Sequence, residues 1–316
     1  MERNTREKKN NRYRENFLKK KFNQLLAGGL IFISLLPFWL LYLISDLLRF
    51  FIRKIFRYRR PVIFDNLRHA FPEKTDKEIK SIAREFYCHF ADLLLESIKL
   101  YSISAAEMDR RITFKGLDLV KDLYREGKSV IILAMHHNNW EWCSFVQTKV
   151  DYQGLMIYNP IRGNQAMERF LLHSREKWGG RCIPVNKSAR TAMDFHRRGI
   201  PSALWLGADQ APRATSKFWT LFLNREAPFF SGPEKIAVKT NQPVFLERVR
   251  KTGRGHYEAE FIPLFMNPQE VEPQEILLAY IHKMEAIIRK EPAYYLWSHR
   301  RWKHQRPENI PLTLNR

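Results

Sequence analysis

Four short apolar runs separated by helical stretches restrict this chain to few architectures. Val130–Met135, Gly154–Tyr158, Arg181–Val185 and Ser202–Leu206 read as strands. Between them, Trp140–Lys149, Asn164–Trp178 and Ala189–Arg197 read as helices. Such alternation produces a sheet with helices on both faces, and loops at the carboxyl ends of its strands are where sites are built. Arg110–Phe114, Val244–Val249 and Tyr257–Phe261 add candidate strands; Gly116–Arg125, Pro233–Thr240 and Gln274–Arg289 add candidate helices. A further long helix starts at Thr75 or Asp76, its core stripe formed by Ile79, Ile82, Phe86, Phe90 and Leu93–Leu95. The expected fold class is α/β, a mixed, mostly parallel sheet flanked by helices.

The first sixty residues behave differently. Leu25–Ser45 is 21 residues without a charge, roughly 31 Å as a helix, close to the thickness of a bilayer's hydrocarbon core. Arg3–Lys21 before it and Arg49–Arg60 after it are strongly basic. The expectation is a polar, mobile basic arm at 1–24, a membrane-anchoring helix with its basic flank at 25–60, and a catalytic domain at 61–316. Basic residues on both sides give the positive-inside rule no winner, and Pro37 could kink the segment so that it dips into one leaflet. Attachment to the inner face of a bacterial-type membrane is expected, spanning or embedded.

The formal charge of +21 calls for anionic partners. Zinc-finger, RNP and KH signatures are lacking, which argues against nucleic acid. Cys88, Cys143 and Cys182 are odd in number and far apart, so a reducing compartment is expected rather than a disulfide scaffold. No metal site is expected.

The most chemically informative stretch is SVIILAMHHNNWEWC, Ser129–Cys143. An apolar strand ends in His136, Asn138 and Asn139 supply turn and cap chemistry, and Glu141 falls in the first turn of the next helix. On one helix, residues five apart face away from each other. With His136 on the loop and Glu141 in the helix, the carboxylate can reach the imidazole, orient it and stabilise its protonated form, as a general-base site requires. A capped helix with an incidental histidine remains the alternative on these residues alone. Further polar groups follow other strands. Arg162, Arg169 and Arg175 lie on the helix after Tyr158, and Asp209 and Gln210 follow Ser202–Leu206. Ser231-Gly232-Pro233 opens a helix whose free N–H groups could hold an anion or oxyanion. GxSxG, Walker A and GxGxxG motifs do not occur, leaving serine hydrolases, P-loop enzymes and dinucleotide oxidoreductases without support.

Taken together these segments resemble the lipid A secondary acyltransferases of lauroyl and myristoyl type, within the lysophospholipid acyltransferase-like group that carries an HxxxxD/E motif. The family block H-F-G-N-W-E stands here as His136-His137-Asn138-Asn139-Trp140-Glu141, departing at His137 and Asn138. The likeness continues through DNLRHAFPEKT, HFADLLLESIKL, the helix ending near Arg175, GADQAP, SGPEKIAVKTNQPV and YYLWSHRRWKHQRP, from Leu25 to Pro307. The resemblance implies a glycerolipid acyltransferase-like fold and a membrane-bound O-acyltransferase of the bacterial inner membrane, with its catalytic domain on the cytoplasmic face. The acyl donor would be acyl carrier protein, and the acceptor a hydroxyl of a lipid A precursor. No cofactor is implied. His136 would be the base and Glu141 its carboxylate. Arg175 would bind an anion, with Asp209 and Gln210 as structural or acceptor contacts and Asn139 and Gly232 completing the substrate-binding set. An anionic membrane would be a further partner, approached by Arg300, Arg301, Lys303, His304 and Arg306 interleaved with Trp297 and Trp302. A lysophospholipid or aminolipid acceptor, coenzyme A as donor, or a non-catalytic lipid-binding role are the competing readings.

Overall fold

A computed structural model describes residues 15–313 of the chain. Asn16 caps the first helix, α1 (Phe17–Leu35), its side chain accepting from the Lys19 N–H. The second, α2 (Phe38–Phe50), runs into one wide helical turn over Phe51–Ile55. The apolar stretch Leu25–Ser45 is not one helix: Leu36 and Pro37 are both extended, and the chain restarts at Phe38. Proline has no N–H to donate and disfavours helical backbone in the residue before it. No helix among the described residues is long and apolar enough to cross a membrane. The spanning helix expected in 25–60 is therefore absent, and the membrane-bound, inner-membrane placement that rested on it is withdrawn. The expected arm also differs, since residues 17–24 are already helical; residues 1–14 of that arm lie outside the described part.

The break is held by named contacts. The Lys99 ammonium donates to the Ser34 and Leu36 carbonyls, both at 2.8 Å, supplying the acceptors that lose their helical partners at Pro37. Ser45 donates to Asp92 at 2.7 Å and Tyr42 to Glu96 at 3.0 Å. Only one side of each helix is covered, and Phe32, Leu35, Trp39, Leu43 and Leu47 stay exposed on the other.

Helices α3 (Arg60–Ala70) and α4 (Asp76–Lys99) follow. Thr75 and Glu78 form a reciprocal capping box that fixes the start of α4. After α5 (Ala105–Arg111) come β1 (Ile112–Lys115), α6 (Leu117–Arg125) and β2 (Val130–Ala134). Trp140–Thr148 winds as a 3-10 helix where an α-helix was expected. Then come β3 (Gln153–Tyr158), α7 (Gln165–Glu176), β4 (Arg181–Pro184), α8 (Ser188–Arg197) and β5 (Ser202–Gly207). The remaining elements are β6 (Trp219–Phe222), β7 (Arg225–Pro228), α9 (Gly232–Thr240), β8 (Val244–Gly253), β9 (His256–Phe265) and α10 (Glu275–Lys290). Helices α1 and α2 pack on α4, and α1 also on α7.

Seven strands form one sheet in the order β1-β9-β8-β2-β5-β3-β4. All neighbours run parallel except the β8–β9 hairpin, so the mixed, mostly parallel α/β sheet is what the chain builds. Ile131, Leu133, Leu204 and Leu246 point to one face and meet Ile236, Tyr280, Ile281 and Met284 from α9 and α10. Ile132, Ala203 and Phe245 point to the other and meet α6 and Val146 of the 3-10 helix. Beside the sheet lies the β6–β7 hairpin, not foreseen from sequence. Its two turn residues, Leu223 and Asn224, both have positive φ, and leucine gives no turn signal of the kind Asn-Gly does. The basic segment near the C-terminus also differs from expectation, for Trp297 and Arg301 are buried rather than arrayed on a rim.

Replacing Lys99 by Met should leave the Leu36 carbonyl without its side-chain donor, while Ser34 keeps the Ser102 hydroxyl, at a cost of about 1–3 kcal/mol. Urea denaturation should show a lower midpoint with an unchanged slope.

Candidate functional site

Parallel pairing of β2 with β5 sets the site. Val130 pairs with Ala203 and Ala134 with Gly207, so His136 and Asp209, each two residues further on, leave adjacent strands at the same height. His136 Nδ1 lies 2.7 Å from Asp209 Oδ1, and the His136 backbone N–H donates to Asp209 Oδ2 at 3.0 Å. The carboxylate accepts twice, so the ring proton sits on Nδ1 and Nε2 keeps its lone pair. Gln210 Nε2 donates to that lone pair at 3.0 Å. Trp140 packs edge-on against the imidazole, ring centres 4.8 Å apart. Gly207 lies under it: a Cβ there would stand 3.1 Å from His136 Cε1, so the ring needs a residue without a side chain beneath it.

Glu141 does not fill the place expected of it. Its two oxygens accept from Arg175 Nε at 2.8 Å and Nη2 at 2.6 Å, a bidentate fork largely shielded from water, with side-chain exposures of 21% for Arg175 and 12% for Glu141. Trp140 Nε1 donates to Glu141 at 3.1 Å. The partner of His136 is instead Asp209, expected from sequence as a structural or acceptor contact.

Electrostatics follow from these pairings. Burial disfavours the imidazolium, yet the Asp209 carboxylate, with a smaller contribution from Glu141 and opposition from Arg175, raises the His136 pKa above 6.5. Burial opposes ionised Asp209 too, but the facing imidazole, the His136 N–H and Arg301 lower its pKa. Glu141 is also lowered, the Arg175 guanidinium outweighing burial. Neighbouring His137 is different: burial pushes it down to about 4, so it is neutral, held by the Glu291 carbonyl and the Asn138 amide, each at 3.1 Å.

Two stretches remote in sequence hold the histidine loop. Asn138, with φ of 55°, donates from its backbone to the Tyr294 carbonyl at 3.0 Å, and Leu296 donates to the His136 carbonyl at 3.1 Å. Asn139 caps the 3-10 helix by accepting from the Trp142 N–H and donates to buried Glu96 at 2.8 Å, where Tyr257 also donates at 2.7 Å. It is fully buried in this network and does not line the cavity described next.

That cavity, of about 590 Å³, opens beside the imidazole. His136, Glu141, Arg175, Gln210 and Gly232 line it; Asp209 stands behind His136, 1% exposed. Below them it runs between the sheet and the 3-10 helix, past Cys143, Val146, Met156 and Trp205 to Gly154 and Gly180. A Cβ on Gly154 would collide with Gln147 Oε1, and one on Gly180 would stand 2.7 Å from Met156 Cε, so a side chain at either position would push into the residues that line this end. An oriented base beside an apolar tunnel and a fixed guanidinium can deprotonate a hydroxyl next to a bound chain.

The sequence matches the family model for bacterial lipid A biosynthesis acyltransferase over residues 10–304. The chain belongs to this family. It is 23% identical over 299 residues to the lipid A biosynthesis lauroyltransferase of Escherichia coli, covering 90% of this chain and 92% of that one. To the palmitoleoyltransferase of the same organism it is 26% identical over 267 residues, 79% and 81% of the two chains. It is 21% identical over 234 residues to a lipid A biosynthesis acyltransferase of Haemophilus influenzae, 73% and 72% of the two chains. Membership supports acyl transfer related to lipid A biosynthesis as the general activity.

Nuclear magnetic resonance titration of His136 should give a pKa above 6.5. In Asp209→Asn the raising carboxylate is gone while burial remains, and the pKa should fall below 6.5.

Proposed function

We propose that this protein transfers a fatty acyl group from an acyl carrier protein thioester to a hydroxyl of a lipid A precursor. One observation carries the reading: His136, held through Nδ1 by Asp209, turns Nε2 toward an apolar cavity of acyl-chain dimensions. The acceptor hydroxyl displaces the Gln210 amide from Nε2. His136 takes the hydroxyl proton as the oxygen attacks the thioester carbonyl, the C–O bond forms, the C–S bond breaks, and the departing thiolate recovers the proton from the imidazolium. Asp209 steadies that imidazolium, in the manner of the third member of a catalytic triad. Arg175, anchored to Glu141 through Nε and Nη2, has its Nη1 left for the carbonyl oxygen as negative charge builds there. Glu141 thus acts at one remove, by fixing the guanidinium and adding negative potential near His136.

Charge supports the choice of partners. Lys187 and Arg190 are exposed on or beside α8, next to cavity-lining Ser188 and Ala189, and suit an acidic donor protein and a phosphorylated acceptor. The relatives transfer lauroyl, palmitoleoyl and myristoyl groups by name, so the common feature is a fatty acyl chain rather than one length.

The test is incubation of purified protein with dodecanoyl acyl carrier protein and a lipid A precursor, followed by mass spectrometry. A gain of one acyl chain supports the reading; acylation confined to lysophospholipid, or none, refutes it. His136→Ala should lower kcat by about 10²–10⁴-fold with an unchanged circular dichroism spectrum. Arg175→Lys, which keeps the charge but loses the fork, should lower kcat more than it raises KM. The base works only when deprotonated, so kcat/KM should fall as pH drops through a value above 6.5. In Asp209→Asn this limb should move to lower pH.

A further inference from the structure

The inner part of the cavity contains a group that the transfer step does not use. Gly154 is level with Val130 across the sheet, six residues below His136, so the tunnel reaches about 20 Å along the strands. Its floor is formed by Ala134, Trp205, Met156 and Gly154 on one sheet face, and its roof by Cys143, Val146 and Gln147. Gln147 is spent on backbone groups, donating to the Tyr152 carbonyl and accepting from the Gly154 N–H. Into this lining β8 sends a carboxyl, Glu247. Extending the pairing of Leu133 with Leu246 sets Glu247 beside Ala134, two residues short of the catalytic imidazole.

Glu247 is 2% exposed, and no ion pair with a cation is found for it among the described residues. Its Oε1 accepts from Trp205 Nε1 at a long 3.3 Å, and the Cys143 thiol lies close beside it. Burial drives its pKa up to about 7 against those two contacts, so near neutrality much of it carries a proton and can donate as well as accept. A carboxyl set without a cation in an apolar tunnel is costly unless it bonds to what enters. Its height fixes where on the chain that bond falls. A thioester carbonyl beside His136 puts only the first few carbons within its reach, and the distant methyl end lies near Gly154 and Gly180.

We propose that Glu247 recognises a hydroxyl on one of the first few carbons of the acyl chain, so that hydroxyacyl thioesters are this site's favoured donors. This rests on the acyl-transfer reading above, and a binding experiment separates the two. Affinities of tetradecanoate, 2-hydroxytetradecanoate and 3-hydroxytetradecanoate are measured by calorimetry on the wild type, Glu247→Gln and Glu247→Leu, with circular dichroism as the folding control. The wild type should bind one hydroxylated chain about 5–10-fold more tightly than the plain one, the factor a single net hydrogen bond provides. Glu247→Gln, which still donates and accepts, should keep much of that preference; Glu247→Leu should lose it and bind the plain chain at least as well as the wild type does. Equal wild-type affinities for all three, or an unchanged preference in Glu247→Leu, overturns the proposal. Should Glu247→Leu not fold, a crystal structure of the wild type with the preferred chain decides, since a hydroxyl beyond hydrogen-bond reach of Glu247 overturns it equally. A selective binder that transfers no chain would refute acyl transfer and leave this assignment standing. Active transfer with no selectivity would do the reverse.

Discussion

The contact between His136 and Asp209 is a product of strand register before it is a product of side chains. Two parallel strands, each ending in a short apolar run, deliver one residue apiece to the same height above the sheet. The carboxylate then accepts from both the ring and the backbone of the histidine. Two bonds to one acid fix the plane of the ring as well as its tautomer, which is what a base must have settled before a substrate arrives. The placement of Trp140, Gln210 and Gly207 is arranged around a ring already fixed in this way.

The second charged pair works on a different principle. Glu141 and Arg175 are both largely removed from water, where separate charges are expensive and a forked pair is tolerable. The 3-10 helix brings the acid and α7 brings the base, so the pair ties the roof of the cavity to its outer wall. It also keeps a cation close to His136 without letting that cation neutralise the imidazolium, because the neighbouring carboxylate offsets its field there. Stability alone would be served as well by apolar residues; the fork instead keeps a fixed guanidinium in the cavity wall.

Much of the sheet was readable because its strands are short, apolar and separated by capped helices. The capping box at Thr75 and Glu78 and the run Val130–Ala134 are local signals, and local signals survive folding. That His136 and Arg175 face one cavity was also hinted at locally, by their positions after apolar strands. What failed depended on pairing. Glu141 is five residues from His136 and was matched to it by nearness in sequence, whereas Asp209 is 73 residues away. Laying Val130–His136 over Ala203–Asp209 as neighbouring parallel strands would have found the partner. The apolar stretch at Leu25–Ser45 read as one helix, kinked at most by Pro37, because the ammonium of Lys99 that stabilises a full break there lies more than sixty residues away. The β6–β7 hairpin escaped because a buried leucine occupies a left-handed position that usually advertises itself with asparagine or glycine. Glu247 gave no signal at all, since a lone acid in an apolar strand says nothing until its neighbours are known.

The histidine loop is fastened to Tyr294–Leu296, close to 160 residues further along the chain, by backbone hydrogen bonds from either side. Closing so long a stretch of polypeptide costs entropy that only the finished core offsets. As synthesis proceeds from the N-terminus, β2 and the histidine leave the ribosome well before the segment that will hold them. The nascent domain can therefore form its strands before the histidine loop is held in place. The histidine loop is fixed only once Tyr294–Leu296 has joined the fold.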